Sequence, residues 1–286
     1  MKQYAVHTIK LPCGETCAYR KAGNGEKTVI LIHGNMSSSV HWQTTIEALE
    51  NEYTVFAPDM RGFGDSSYIN EFDALSELAQ DIMEFVDAVG AGEYYLCGWS
   101  TGGGVAMEIA AARPNQVKGL ILLDSVPPTG YPMFKKGPDF QPILTEPLQT
   151  KADVAADPVQ VLPALNALKT GDRATMQSIW DMVIYNLNKP SDEDYSLYLD
   201  AIMKQRCLVD VDYALMVFNI TDRIKNIMCP VSILHGEKDM VVPLQWAQAT
   251  FDHFCGKAKM VTFPEAGHSP ITDVYDEYIT ALKAAL

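Results

Sequence analysis

The sequence predicts an α/β protein whose mostly parallel sheet is covered by helices on both faces. Three observations carry this reading. Short apolar runs recur at 28–32, 53–57, 94–97, 120–123, 231–234 and 260–263. Strands that are apolar at consecutive positions are buried on both faces, as parallel strands are. Helical segments separate several of them. The clearest is 75–89, where Leu75, Leu78, Ile82, Phe85, Val86 and Val89 share one helical face and Gly90 supplies a stop. Finally, 286 residues with 48% hydrophobic content are enough for one large core, or a core with a substantial insertion.

In chain order, Val6–Leu11 and Thr16–Lys21 flank Pro12-Cys13-Gly14-Glu15 and read as an antiparallel hairpin. The strand at 28–32 runs into His33-Gly34, and the strand at 53–57 ends at Pro58-Asp59. After the helix at 75–89 comes the strand at 94–97, then Gly98-Trp99-Ser100-Thr101-Gly102, then a small-residue helix over 103–113 that ends before Pro114. The strand at 120–123 closes on Asp124-Ser125. The rhythm then breaks: 126–228 holds turns, prolines and several helix-like stretches before Val231 restores the pattern. We expect residues 126–228 to form an inserted helical cap over the strand ends, with 1–125 and 229–286 as the core. Most of the cap's large side chains (Trp180, Tyr185, Tyr195, Tyr198, Phe218, Met176, Met182, Met203, Met216) are expected to pack it down, and some to wall a substrate cleft.

Gly98-Trp99-Ser100-Thr101-Gly102 is the segment richest in chemistry. A serine hydroxyl is a poor nucleophile unless it is held in the open beside a base. A sharp strand-to-helix turn does that, and flanking glycines let neighbouring chains approach. The following helix aims its free N–H groups at the place where negative charge develops. Two later loops supply partners. Leu234-His235-Gly236-Glu237-Lys238-Asp239 and Pro264-Glu265-Ala266-Gly267-His268 each lie just past a strand end, where ligand chemistry collects in parallel sheets. We therefore assign Ser100 as nucleophile, His268 as general base and Asp239 as the acid that orients it. Asp124, after the preceding strand, is the rival acid. The oxyanion donors expected are the backbone N–H groups of Asn35 and Thr101. His33 is expected to brace the Asn35 turn, and His235 to be structural. His41 and Trp42 suit a pocket wall or the core equally well, whereas His7 and His253 carry no signal.

Composition narrows the partners. With 36 acidic against 22 basic residues the net charge is −14, which disfavours nucleic acid and anionic lipid. The start Met1-Lys2-Gln3-Tyr4 does not resemble a signal peptide, and no apolar run approaches the ~18 residues of a membrane span. A cytoplasmic location with reduced thiols is expected. Cys13 and Cys17 flank the first turn and could face each other. Cys97, in a central strand, reads as a small buried hydrophobe. No C-x-x-C pair and no His/Asp/Glu set has metal-ligand spacing. Gly98 with Gly102-Gly103-Gly104 lacks dinucleotide spacing, and Arg61-Gly62-Phe63-Gly64 lacks a P-loop lysine. No cofactor is implied.

His33-Gly34, Asp59-Met60-Arg61-Gly62-Phe63-Gly64-Asp65-Ser66, the Ser100 elbow, Asp239 and Gly267-His268 together resemble the α/β-hydrolase superfamily, whose triad follows the order Ser…Asp…His. The resemblance implies the α/β-hydrolase fold, with a central sheet of about eight strands, and a serine ester hydrolase. Members with dehalogenase or epoxide hydrolase activity carry aspartate where this chain has Ser100. A narrower likeness links His33-Gly34-Asn35-Met36-Ser37-Ser38-Ser39, His41-Trp42, Gly98-Trp99-Ser100, Asp124-Ser125 and Gly130-Tyr131-Pro132 to the intracellular polyhydroxybutyrate depolymerases of bacilli. It implies a short 3-hydroxyalkanoate polyester or oligomer as substrate, with contact to a polyester granule. Thr101 stands where that group would carry methionine, which leaves the substrate open. A small-molecule carboxylesterase or lactonase, a C–C bond hydrolase and a non-catalytic ligand receptor are the alternatives.

Overall fold

Alternate residues of each central strand enter opposite cores. Ile30 and Ile32 pack on one side with Phe56, Leu96, Leu120 and Ile233, whereas Val29 and Leu31 pack on the other with Val55, Cys97, Ile121 and Leu234. That two-sided burial is why the strands read as unbroken apolar runs. The computed structural model describes all 286 residues. Its strands are β1 (Val6–Lys10), β2 (Thr16–Ala22), β3 (Lys27–Ile32), β4 (Tyr53–Pro58), β5 (Tyr94–Trp99), β6 (Val117–Leu123), β7 (Phe134–Lys136), β8 (Pro142–Pro147), β9 (Val231–Gly236) and β10 (Ala258–Phe263).

Eight of them form one sheet in the order β1-β2-β4-β3-β5-β6-β9-β10. β1 and β2 are antiparallel, as are β2 and β4, and every other pairing in the sheet is parallel. Strand order reverses about β3, which has β4 on one side and β5 on the other. The carboxyl ends of β3 and β5 therefore face a crevice at the point where such sheets bind ligands.

Helices cover both faces. The helix Leu75–Ala88 buries Leu75, Leu78, Ile82 and Phe85, and its start is held by Glu77, which accepts from the N–H groups of Asp73 (2.8 Å) and Ala74 (3.2 Å). Gly90 ends it in the left-handed region at φ 74°. The helix Thr101–Ala112 is buried along almost its whole length, which explains its run of glycine and alanine. On the opposite face, Ile46 and Leu49 pack beside Tyr278 and Leu282 of the helix Tyr275–Ala285.

The long segment between β6 and β9 is not wholly helical. It opens with the small antiparallel hairpin β7–β8, then continues through helices Lys151–Ala155, Leu162–Thr170, Arg173–Val183, Asp192–Ile202 and Leu208–Val217. The hairpin escapes the sequence reading because β8 is mostly exposed and lacks an apolar face. β6 also begins earlier than the apolar run at 120–123: Lys118 and Gly119 interrupt the run, yet Val117 already pairs with Tyr94. Cys17 stands opposite Ile9 rather than Cys13, and all six cysteines are free thiols.

Candidate active site

Ser100 links the end of β5 to the buried helix with φ 56° and ψ −120°. A serine held there costs on the order of 1–3 kcal/mol, so the surroundings must impose the shape. They do so through the backbone. The Ser100 N–H donates to Leu123 O (2.9 Å), and Ser100 O accepts from Gly103 (2.9 Å) and Val126 (3.2 Å). Close approach then dictates glycine on either side. A Cβ on Gly98 would lie 2.3 Å from Gly102 O, and one on Gly102 would lie 2.2 Å from Ile32 O.

The loop after β3 comes in beside the serine. A Cβ on Gly34 would sit 3.0 Å from the Ser100 Cβ. His33 fixes this loop. Its Nε2 accepts from the Met60 N–H (3.0 Å), so Nδ1 carries the proton and donates to Gly34 O (2.8 Å). Burial holds its pKa below the usual imidazole range. Met60 belongs to the turn Asp59–Ser66, where Asp59 accepts from Ser39 N (2.7 Å) and Asp65 N (2.9 Å). The motif thus buttresses the loop that bears Asn35. No hydrogen bond within the protein takes the Asn35 N–H, and Thr101, first in its helix, has no intrahelical acceptor. The Asn35 side chain is clamped: Oδ1 accepts from Met36 N and Gln205 Nε2 (2.8 Å each), and Nδ2 donates to Asp212 Oδ1 (2.8 Å).

His268 follows β10, and its Nδ1 lies 2.7 Å from Asp239 Oδ2, in the loop after β9. The other oxygen, Asp239 Oδ1, accepts from Val241 N (2.7 Å) and Val242 N (2.9 Å). Burial alone would raise the Asp239 carboxyl, but the charge and hydrogen bond of His268 outweigh it and hold the group below the usual carboxylate range. The His268 carbonyl accepts from Trp99 Nε1 (2.8 Å), which ties the histidine loop to the residue before Ser100. Ser100 and His268 line one cavity, although no hydrogen bond joins Oγ to the ring. Such hydroxyl–imidazole bonds are often long in unliganded sites and tighten with substrate.

Asp124 lies elsewhere in the same corner. Its Oδ1 accepts from Gly236 N (2.8 Å) and is 3.5 Å from His235 Nδ1. Complete burial, reinforced by the charge of Asp239, pushes its pKa well up. The donor atoms of Asp124, His235 and Asp239 lie within 4.8 Å of one another, a cluster that sequence spacing does not show. Most of them are already spent on hydrogen bonds: His235 Nε2 donates to Val242 O (2.9 Å), and both Asp239 oxygens are bonded. Only Asp124 Oδ2 and His235 Nδ1 are unpartnered.

The cavity measures about 640 Å³ and has a mostly apolar wall drawn from the core loops and the inserted segment. Of the large side chains in that segment, Trp180 and Met182 line it, whereas Tyr185, Tyr195, Tyr198 and Met176 pack inside. His41 and Trp42 do not reach it. His41 is stacked between Tyr198 and Trp180, with ring centroids 4.4 and 5.2 Å away, and burial pushes its pKa down to about 3. Asp212, Tyr131 and Gln160 do line it, and sequence reasoning missed them. The available signal was the pair of charged residues Asp210 and Asp212 within the otherwise apolar helix Leu208–Val217.

The sequence pattern of the family described as alpha/beta hydrolase fold matches residues 27–273. A pimeloyl-[acyl-carrier protein] methyl ester esterase of Aliivibrio fischeri is 25% identical over 275 residues, covering 95% of this chain and 98% of that protein. Among solved structures, a probable hydrolytic enzyme from Pseudomonas aeruginosa PAO1 superposes with TM-score 0.79 at 20% identity, covering 100% of this chain and 95% of the other. An esterase from Exiguobacterium antarcticum gives TM-score 0.77 at 19% identity, with 98% of each chain covered.

Proposed function

The chain belongs to the alpha/beta hydrolase fold family, and from that premise we propose that it is a serine carboxylic-ester hydrolase working through an acyl-enzyme. The observation that carries the reading is the 2.7 Å contact between His268 Nδ1 and Asp239, on a histidine that shares its cavity with Ser100. With Nδ1–H held by Asp239, Nε2 is left as the basic nitrogen. Ser100 Oγ attacks the ester carbonyl while Nε2 takes its proton. The N–H groups of Asn35 and Thr101 hold the oxyanion. His268 then protonates the leaving alcohol, and water repeats the sequence on the acyl-enzyme. No step calls for a cofactor.

A soluble carboxylic ester with an apolar body is the substrate class favoured here. The apolar cavity wall supports it, as does the full-length likeness to a protein named as a methyl ester esterase. A second reading, a short 3-hydroxyalkanoate polyester, draws on the segments shared with bacillar depolymerases. It also draws on Phe140, Met182 and Met240, which line the cavity yet are 61%, 67% and 61% exposed, as a rim touching a polymer would be. In both readings residues 126–228 act as the cap that sets specificity.

The test is a panel of short p-nitrophenyl esters, lactones and amorphous polyhydroxybutyrate, run with the wild type and Ser100→Ala. We expect turnover of soluble esters and a loss of about 10⁴-fold or more in the variant. Faster attack on the polymer would favour the second reading. Turnover that survives in Ser100→Ala, or none on any ester, would refute the proposal.

A further inference from the structure

Asp212 is the one acid in the wall of the cavity. Its Oδ1 accepts from Asn35 Nδ2 (2.8 Å), and its other oxygen takes no hydrogen bond from the protein. No cation pairs with it, and Lys136 is engaged by the buried Asp157 at 3.1 Å. Tyr131 and Gln160 share the wall. A half-buried carboxyl in an apolar wall with one oxygen free offers the cavity an acceptor that a ligand's donor can complete.

We propose that Asp212 is a specificity-determining residue that accepts a hydrogen bond from a hydroxyl or ammonium group on the substrate. The proposal rests on the ester-hydrolase reading and narrows it to esters carrying a donor besides the ester group. Free hydroxyls at the ends of hydroxyacid oligomers belong to this class, and so do hydroxyalkyl and aminoacyl esters. The position of Asp212 links recognition to chemistry. The oxygen bonded to Asn35 steadies the loop whose N–H is aimed at the oxyanion, while its partner oxygen reads the substrate. Burial, helped by the charge of Asp157, pushes the Asp212 carboxyl up to about 7 against the single hydrogen bond from Asn35. A site built around a substrate hydroxyl rejects an analogue lacking it far more strongly than an apolar wall rejects a methylene.

The test compares methyl butyrate with methyl 3-hydroxybutyrate, methyl 3-aminobutyrate and 2-hydroxyethyl butyrate in the wild type, Asp212→Asn and Asp212→Leu. We expect at least one donor-bearing ester to exceed methyl butyrate in kcat/KM by about tenfold or more in the wild type. Which ester wins identifies the donor and its side of the ester bond. In Asp212→Asn the acceptor for Asn35 is retained but the reading oxygen becomes an NH₂, so the preference should fall towards one. If Asp212 only clamped Asn35, Asn would leave the preference intact and Leu would slow all four esters alike. A wild-type preference near one, or a preference that survives in Asp212→Asn, would overturn the proposal. Calorimetric binding of the same esters to Ser100→Ala, with and without Asp212→Asn, separates this outcome from failure of the hydrolase reading. A donor preference in binding that needs Asp212 would stand even if no ester were turned over.

Discussion

Asp239→Asn is the change whose consequence the geometry states most sharply. Oδ1 faces two N–H donors, Val241 at 2.7 Å and Val242 at 2.9 Å, while Oδ2 faces His268 Nδ1 at 2.7 Å. An asparagine amide placed there has one oxygen and one NH₂. Turning the NH₂ towards Val241 and Val242 would set a donor against two donors, so the oxygen must take the Oδ1 place. The NH₂ then points at His268 Nδ1, which must accept, and the ring proton moves to Nε2. A protonated Nε2 cannot take the serine proton. Three hydrogen bonds survive in the variant, so the fold should persist while kcat falls by about 10³–10⁴-fold. That loss corresponds to roughly 4–5.5 kcal/mol of transition-state stabilisation. Asp124→Asn is the control. Asp124 makes no hydrogen bond to His268, and an amide keeps the acceptor for Gly236 N, so kcat should stay within about tenfold of wild type. The assay is p-nitrophenyl butyrate hydrolysis, with thermal melts to verify folding. If Asp239→Asn stays within tenfold, or Asp124→Asn loses as much, the tautomer argument is wrong.

Two further outcomes follow from groups displaced by burial. The folded Asp212 carboxyl, pushed up to about 7, lies above its unfolded value, so the stability carried by its neutral form is lost as pH rises from ~3.9 to about 7. A fully shielded carboxyl moved this far from ~3.9 would account for roughly 4 kcal/mol; facing an open cavity, Asp212 should account for about 1–2 kcal/mol. The Tm advantage of Asp212→Asn over wild type should therefore be larger at pH 8 than at pH 5, and parallel Tm profiles would refute this. Among the thiols only Cys13 and Cys255 are exposed, and burial pushes Cys13 up to about 11. At pH 8 one thiol should react quickly with Ellman's reagent. Cys255→Ser should remove that phase, and its survival would contradict the assignment.

Much of the architecture could be read from the chain because strands buried on both faces leave unbroken apolar runs. The elbow was legible for a similar reason: its tight turn and close backbone contacts demand glycine at 98 and 102 within a single local stretch. What escaped was spatial. β6 and β9 are neighbours, so Asp124 and Asp239 end adjacent strands, and chain order alone ranks them weakly. The hydrogen bond to His268 distinguishes them in space. The hairpin β7–β8 was invisible because it packs little, and hydrophobic period reports only packing. Asp212 was overlooked because its meaning comes from Asn35, 177 positions away in sequence.

The most direct measurement is covalent capture. Treating the native protein with a fluorophosphonate and mapping the adduct by peptide mass spectrometry should place a single phosphonyl group on residue 100, with prior reaction abolishing hydrolysis in equal measure. An unmodified Ser100 in protein that still turns over esters would contradict the account at its root.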